Sequence, residues 1–98
     1  MARGIAGPFR SERYAADSTI STKPAWLGTY TVTNTSGGVV TVTFYDDAVG
    51  GTGLPIEQVV LGNNQTQAIY PNGDTLNGLG VKSSNWTNVN VFVRWASR

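Results

Sequence analysis

The side chains able to do acid–base work in this chain are few. Its 98 residues include no histidine and no cysteine. The commonest general base and metal ligand is therefore missing, and so is every thiol nucleophile. A Ser-His-Asp triad cannot be assembled. The remaining catalytic route is a pair of carboxylates, as in glycoside hydrolysis. Asp46 and Asp47 are adjacent, so on a strand they would point to opposite faces. Glu57 stands alone in a short apolar run, and Asp74 sits in a turn signal. Asp46 and Asp47 could join loop carbonyls around a calcium ion, but a solvated hairpin end is the better reading of them. The expectation is no catalytic residue, no metal site, no cofactor, and a function that is not enzymatic.

The aromatic residues offer binding chemistry instead. Trp95 and Tyr30 fall on the apolar faces of strongly alternating runs and read as core. Trp86 lies in a polar stretch, Ser83-Ser84-Asn85-Trp86-Thr87-Asn88, and is the best candidate for an exposed aromatic. It could meet a partner protein, stack on a sugar, or fold back over the end of the core, the last as good a reading as either.

Period-two patterning dominates residues 25–98. Trp26, Tyr30 and Val32 alternate with Thr29, Thr31 and Thr33. After Asn34-Thr35-Ser36-Gly37-Gly38, the residues Val40, Val42 and Phe44 alternate with Thr41, Thr43 and Tyr45. These two runs predict an antiparallel hairpin. Further short strands are expected over residues 56–61, 65–70 and 76–81, where Gly78 and Gly80 suggest a bulge or a close backbone approach. The run over residues 89–95 is the clearest strand. About six or seven strands, with turns roughly every ten residues and no convincing helix, predict an all-β fold: an antiparallel β-sandwich, jelly-roll-like.

Residues 1–19 show no strand pattern and are read as an extended N-terminal arm, with a possible helical turn over residues 11–16. Residues 20–98 are read as the sandwich domain. Arg3, Arg10, Arg13 and Lys23 outnumber Glu12 and Asp17 in the first 23 residues, a net +2, while the remainder carries −1. Ile5, Phe9 and Tyr14 are spaced too irregularly to form one face, and read as separate apolar anchors. The expected partner-binding residues are thus Arg3, Ile5, Phe9, Arg10, Arg13, Tyr14 and Trp86.

Composition bounds the partners. Net charge is +1, which argues against nucleic acid. No run is apolar enough for a membrane-spanning helix, and the first ten residues lack the apolar stretch of a secretory signal. Charged residues are 13% of the chain, against about 25% in a typical soluble domain, so its surface can meet neighbours with few charges to desolvate. A domain of this length buries only roughly 60–65% of its unfolded surface, and association with further copies would add to that.

The runs from Trp26 to Asn34 and from Val40 to Asp46, then Pro55-Ile56, Pro71-Asn72-Gly73, Asn77-Gly78-Leu79-Gly80-Val81 and the closing Val89 to Trp95, resemble small virion structural proteins of tailed bacteriophages. The resemblance spans roughly residues 18–96 and rests on turn and strand motifs that recur in capsid decoration proteins and fibre heads. It implies a β-sandwich bound to a virion surface, often oligomeric, with no catalytic residues. The leading expectation is a capsid decoration or cement protein on the head surface, made in the host cytoplasm. Its partners would be the major capsid protein and further copies of itself, three being the expected number. The alternative is a carbohydrate- or receptor-binding module of a fibre or tail, using Trp86 and Tyr45.

Overall fold

Threonine, valine and the aromatics suit a pleated, half-buried surface. Among the described residues the chain uses them to build strands and no helix. The computed structural model describes residues 9–48 and 53–98. Its strands are β1 (Arg10–Tyr14), β2 (Ser18–Ser21), β3 (Ala25–Asn34), β4 (Val40–Asp46), β5 (Leu54–Leu61), β6 (Gln65–Ile69), β7 (Gly73–Asp74), β8 (Leu79–Ser83) and β9 (Val89–Ser97). They form two antiparallel sheets. One runs β1-β9-β3-β6, with the short β7 beside β3; the other runs β2-β8-β4-β5. With β7 set aside, eight strands in this order make a jelly roll, so the expected sandwich and its expected variant are both found.

The core lies between the sheets. Leu27, Tyr30 and Val32 of β3 and Val89, Val91, Val93 and Trp95 of β9 come from one side. Val40, Val42 and Phe44 of β4, with Leu79 and Val81 of β8, come from the other. The Tyr30 and Phe44 rings meet across the middle with centroids 4.4 Å apart.

Three local expectations need correction. First, the runs on either side of residues 35–39 are not a hairpin: β3 and β4 lie in different sheets. Both alternate because both face the same core, and the link arches from one sheet to the other. Asn34 makes the arch possible. Its fully buried amide Nδ2 donates to the carbonyls of Gly38 (2.8 Å), Leu61 (3.1 Å) and Gly62 (3.0 Å). Its Oδ1 accepts the Ser36 N–H at 3.0 Å. One side chain thus satisfies polar backbone groups at two sheet crossings, where no ladder can do so.

Second, Trp26 does not share a face with Tyr30. The β3–β9 register slips between Leu27 and Thr29, and this bulge reverses the parity of the strand. Leu27 is buried, whereas Trp26 is only partly so. Gly28 occupies the bulge. A Cβ there would lie 3.2 Å from the Arg94 carbonyl oxygen and 3.2 Å from the Phe9 ring.

Third, residues 10–14 are a strand and not an arm or a helical turn. β1 pairs with β9 from Arg10↔Trp95 to Tyr14↔Val91. β2 pairs with β8, so the expected boundary between residues 19 and 20 falls inside a strand. β1 escapes a hydrophobicity reading because its inward positions are Arg10, Glu12 and Tyr14. The expected close approach near Gly78 is present: a Cβ there would meet the Ala48 Cα at 2.6 Å and the Ser21 carbonyl oxygen at 2.7 Å. Both are backbone, so a side chain at this position requires the chain itself to move.

Candidate interaction surfaces

Of the residues expected to bind partners, Arg3 and Ile5 lie outside the described residues. The others are engaged with their own domain. Arg10 places its guanidinium 5.1 Å from the Trp95 ring centroid. Arg94 does the same over Phe9 at 5.2 Å, and Phe9 remains exposed. Arg13 donates to Asn90 Oδ1 at 2.7 Å. Tyr14 is partly buried against the core and donates its hydroxyl to Glu12 Oε1 at 2.7 Å. Trp86 packs on the core and donates its indole N–H to Asp17 Oδ1 at 2.6 Å. Sequence reasoning isolated Trp86 by its polar neighbours but had no way to see Asp17 approach it.

Glu12 organises the β1 edge. Beside the Tyr14 hydroxyl it accepts the Trp95 indole N–H at 2.8 Å. The Trp95 bond, then the Tyr14 bond, hold its carboxyl below the ordinary value, with a smaller contribution from Arg10 that burial opposes. Burial and the same carboxylate push the Tyr14 hydroxyl well above its usual range. A carboxylate whose pKa is depressed by folding contributes stability above its unfolded value and loses it as pH falls through the folded one. Melting temperature should therefore fall as pH drops below about 4.5, and Glu12→Gln should flatten part of that fall. Asp46 contributes in the same direction. Burial raises that carboxyl, but the N–H groups of Leu76, Asn77 and Gly78, at 2.9, 2.8 and 3.2 Å, together outweigh it and lower the pKa. Thermal melts of both proteins across this pH range check the prediction, and identical pH profiles would refute it.

The other carboxylates are similarly placed. Asp17 also accepts the Ser83 N–H at 3.2 Å. Glu57 accepts the Tyr30 hydroxyl at 3.1 Å, a bond that reaches from one sheet to the other. Asp47 is buried. Asp74 has a side chain only 10% exposed and lies 3.9 Å from Arg98. Asp46, one of the two residues considered for calcium, commits both oxygens to backbone N–H groups. Among the described residues no three acidic groups cluster in a way that could hold a metal ion.

One side of the sandwich differs from the rest. β5 and β6 are edge strands of opposite sheets, joined by residues 62–64. Residues 58–73 contain no charged side chain. Exposed apolar groups gather here: Leu54 (69%), Val60 (60%), Tyr70 (68%) and Leu76 (72%). Leu54 pairs with Asp46, whose carboxylate holds the Leu76 N–H, so these two leucines share one end. A cleft of about 190 Å³ between Leu27, Ile56, Pro71 and Gly73 lies on the same side, with Glu57 and Asp74 also in its lining. Natural edge strands are usually protected by charge, proline or a bulge. β1 has Arg10, Glu12 and Arg13; β5 has Pro55 and a register shift. β6, Gln-Thr-Gln-Ala-Ile, has none of these. The uncharged run was visible in the sequence, but its place on two free edges depended on the topology.

No protein-family model matches the chain. No curated protein matches it either. Among solved structures the chain is similar to a protein of Bacillus endospore appendages, described as a novel family of disulfide-linked pili. Identity is 16%, over 98% of this chain and 94% of that one, with a TM-score of 0.45. The present residues include no cysteine.

Proposed function

We propose that the chain is a non-enzymatic building block of a virion surface, a decoration or cement protein of a tailed-phage head. In this reading it works by packing. Copies meet on the β5–β6 side around a symmetry axis, three being the expected number, and residues 1–8 reach to a neighbouring copy or to the major capsid protein. Assembly takes place in the host cytoplasm, and the final location is the capsid surface.

The observation that carries the self-packing part is the undefended β6 edge within the uncharged residues 58–73, beside exposed apolar groups. Such a surface can be covered with little charge to desolvate, and its free backbone groups can pair with another chain. The phage assignment rests on the sequence resemblance. The carbohydrate-binding alternative is less favoured because Trp86, the aromatic it depends on, already packs on the core and bonds Asp17.

The arm must be tested without damaging the sheet. Removing residues 1–17 would delete β1 and its Glu12–Trp95 bond. Removing residues 1–8 leaves them in place. The truncated chain should keep its fold and bind decoration-free phage heads more weakly than the full chain in co-sedimentation. Equal binding would remove the arm from this reading, and no binding by either chain would remove the capsid.

A further inference from the structure

The outer face of the β1-β9-β3 sheet is a regular grid. Residues opposite one another in register share a face. Ser11, Arg94 and Thr29 form one row across the three strands, and Arg13, Phe92 and Thr31 form the next. Arg94 and Phe92 are exposed, while Val91, Val93 and Trp95 between them are buried. The two arginines are diagonal neighbours, with Cβ atoms roughly 7–8 Å apart. Their guanidiniums lie apart along the strands, Arg13 reaching to Asn90 and Arg94 to Phe9.

Among the described residues no carboxylate pairs with either guanidinium; Glu12, between the two rows, also lines the depression but is turned to Trp95 and Tyr14. Asn90 bonds Arg13, and the Phe9 ring carries Arg94. Both guanidiniums are held in place by neutral groups that position them without neutralising them. Between and around them, the hydroxyls of Ser11, Thr29 and Thr31 border an open depression of about 480 Å³.

We infer that this face docks an acidic protein surface, with carboxylates of the partner paired to Arg13 and Arg94. The partner is a different protein and not a second copy. Each side-chain carboxylate of this chain is buried or already accepts a hydrogen bond or ion pair at home, so a second copy offers only acceptors that are partly committed. A nucleic acid is disfavoured because two cations on a chain of net charge +1 give little counterion release. A small acid is disfavoured because the depression is open and flat, unlike an enclosing ligand pocket. This inference rests on the reading of the chain as a docking protein and adds the chemistry of the docked surface.

The test uses the full chain with poly-L-glutamate as the acidic polypeptide, and polygalacturonate and polyphosphate as the other polyanions, followed by calorimetry at low salt. Poly-L-glutamate should bind, and added salt should weaken it. Arg13→Gln with Arg94→Gln should lower the affinity roughly tenfold, the effect of losing two exposed charge pairs. Lys23→Gln with Lys82→Gln, which changes net charge equally but elsewhere, should leave it nearly unchanged. Thr31→Glu, which puts a carboxylate into the grid, should also weaken binding, so the test survives if the arginine variant misfolds. Equal losses in the arginine and lysine variants, or no binding by the parent chain, would overturn the inference. Tighter binding of polygalacturonate or polyphosphate with the same arginine dependence would overturn it in favour of a glycan or phosphate ligand. Oligomeric mass measured on the same samples separates the two ideas: a stable oligomer that ignores poly-L-glutamate fails only this inference, and a monomer that binds it fails only the self-packing.

Discussion

Asn34→Ala should lower stability by about 3 kcal/mol, among the largest effects of any single substitution in this chain. The amide is fully buried, and its loss strands the Leu61 carbonyl and loosens the Gly38 and Gly62 carbonyls at the two sheet crossings. For a domain of this size the melting temperature should drop by roughly 10–20 °C. Asn34→Asp should be worse at neutral pH, because it turns a donor into an anion facing three carbonyl oxygens. It should recover as pH falls, since the protonated acid regains a donor. That direction opposes the parent chain, which loses stability in acid through Glu12 and Asp46. Melts at neutral and mildly acidic pH read both signs. An alanine variant within about 1 kcal/mol of the parent would mean the arch is held by other groups.

The second large effect concerns assembly. Val60→Lys with Ala68→Lys should make the chain monomeric at concentrations where the parent is oligomeric. Val60 on β5 and Ala68 on β6 are both exposed. Val60 lies opposite Thr41 on the outer face of one sheet and Ala68 opposite Thr31 on that of the other, so a lysine at each puts charge on both rims of the proposed contact, where burying it is costly. At exposed positions the same changes should alter the stability of one chain by no more than about 0.5 kcal/mol. The pair of readouts matters: mass should fall while the melt of the isolated subunit hardly moves. A variant that retains the parent's mass would place the contact elsewhere.

The sequence carried the all-β character, the alternation of β4 and β9 and the crowding at Gly78; the turn signal at residues 71–74 instead falls where the chain continues along β3 from β6 to β7. It misplaced what depends on partners distant in the chain. Alternation tells which face of a strand is apolar, and it is silent on which strand lies beside it. A five-residue link serves a hairpin or an arch equally well. What decides between them is Asn34 meeting the carbonyls of Leu61 and Gly62, nearly thirty residues away. Trp26 was assigned to the wrong face because one bulged residue at Gly28 reverses every position before it. β1 was invisible because its inward side chains are polar and owe their place to the Trp95 indole and the edge of β9. The expected binding residues shared that difficulty. Phe9, Arg10, Arg13, Tyr14 and Trp86 each carry a contact within the domain, whereas the uncharged side and the cationic grid emerged only once register and strand order assembled them.

The central claim is that this sandwich completes its burial against other copies through the β5–β6 side. The most direct test is the solution mass of the purified full-length chain, by light scattering coupled to size exclusion over a range of concentrations. A closed oligomer, three subunits being the expected number, that becomes monomeric in the Val60→Lys, Ala68→Lys variant is the predicted result. A strict monomer at every concentration would contradict the claim.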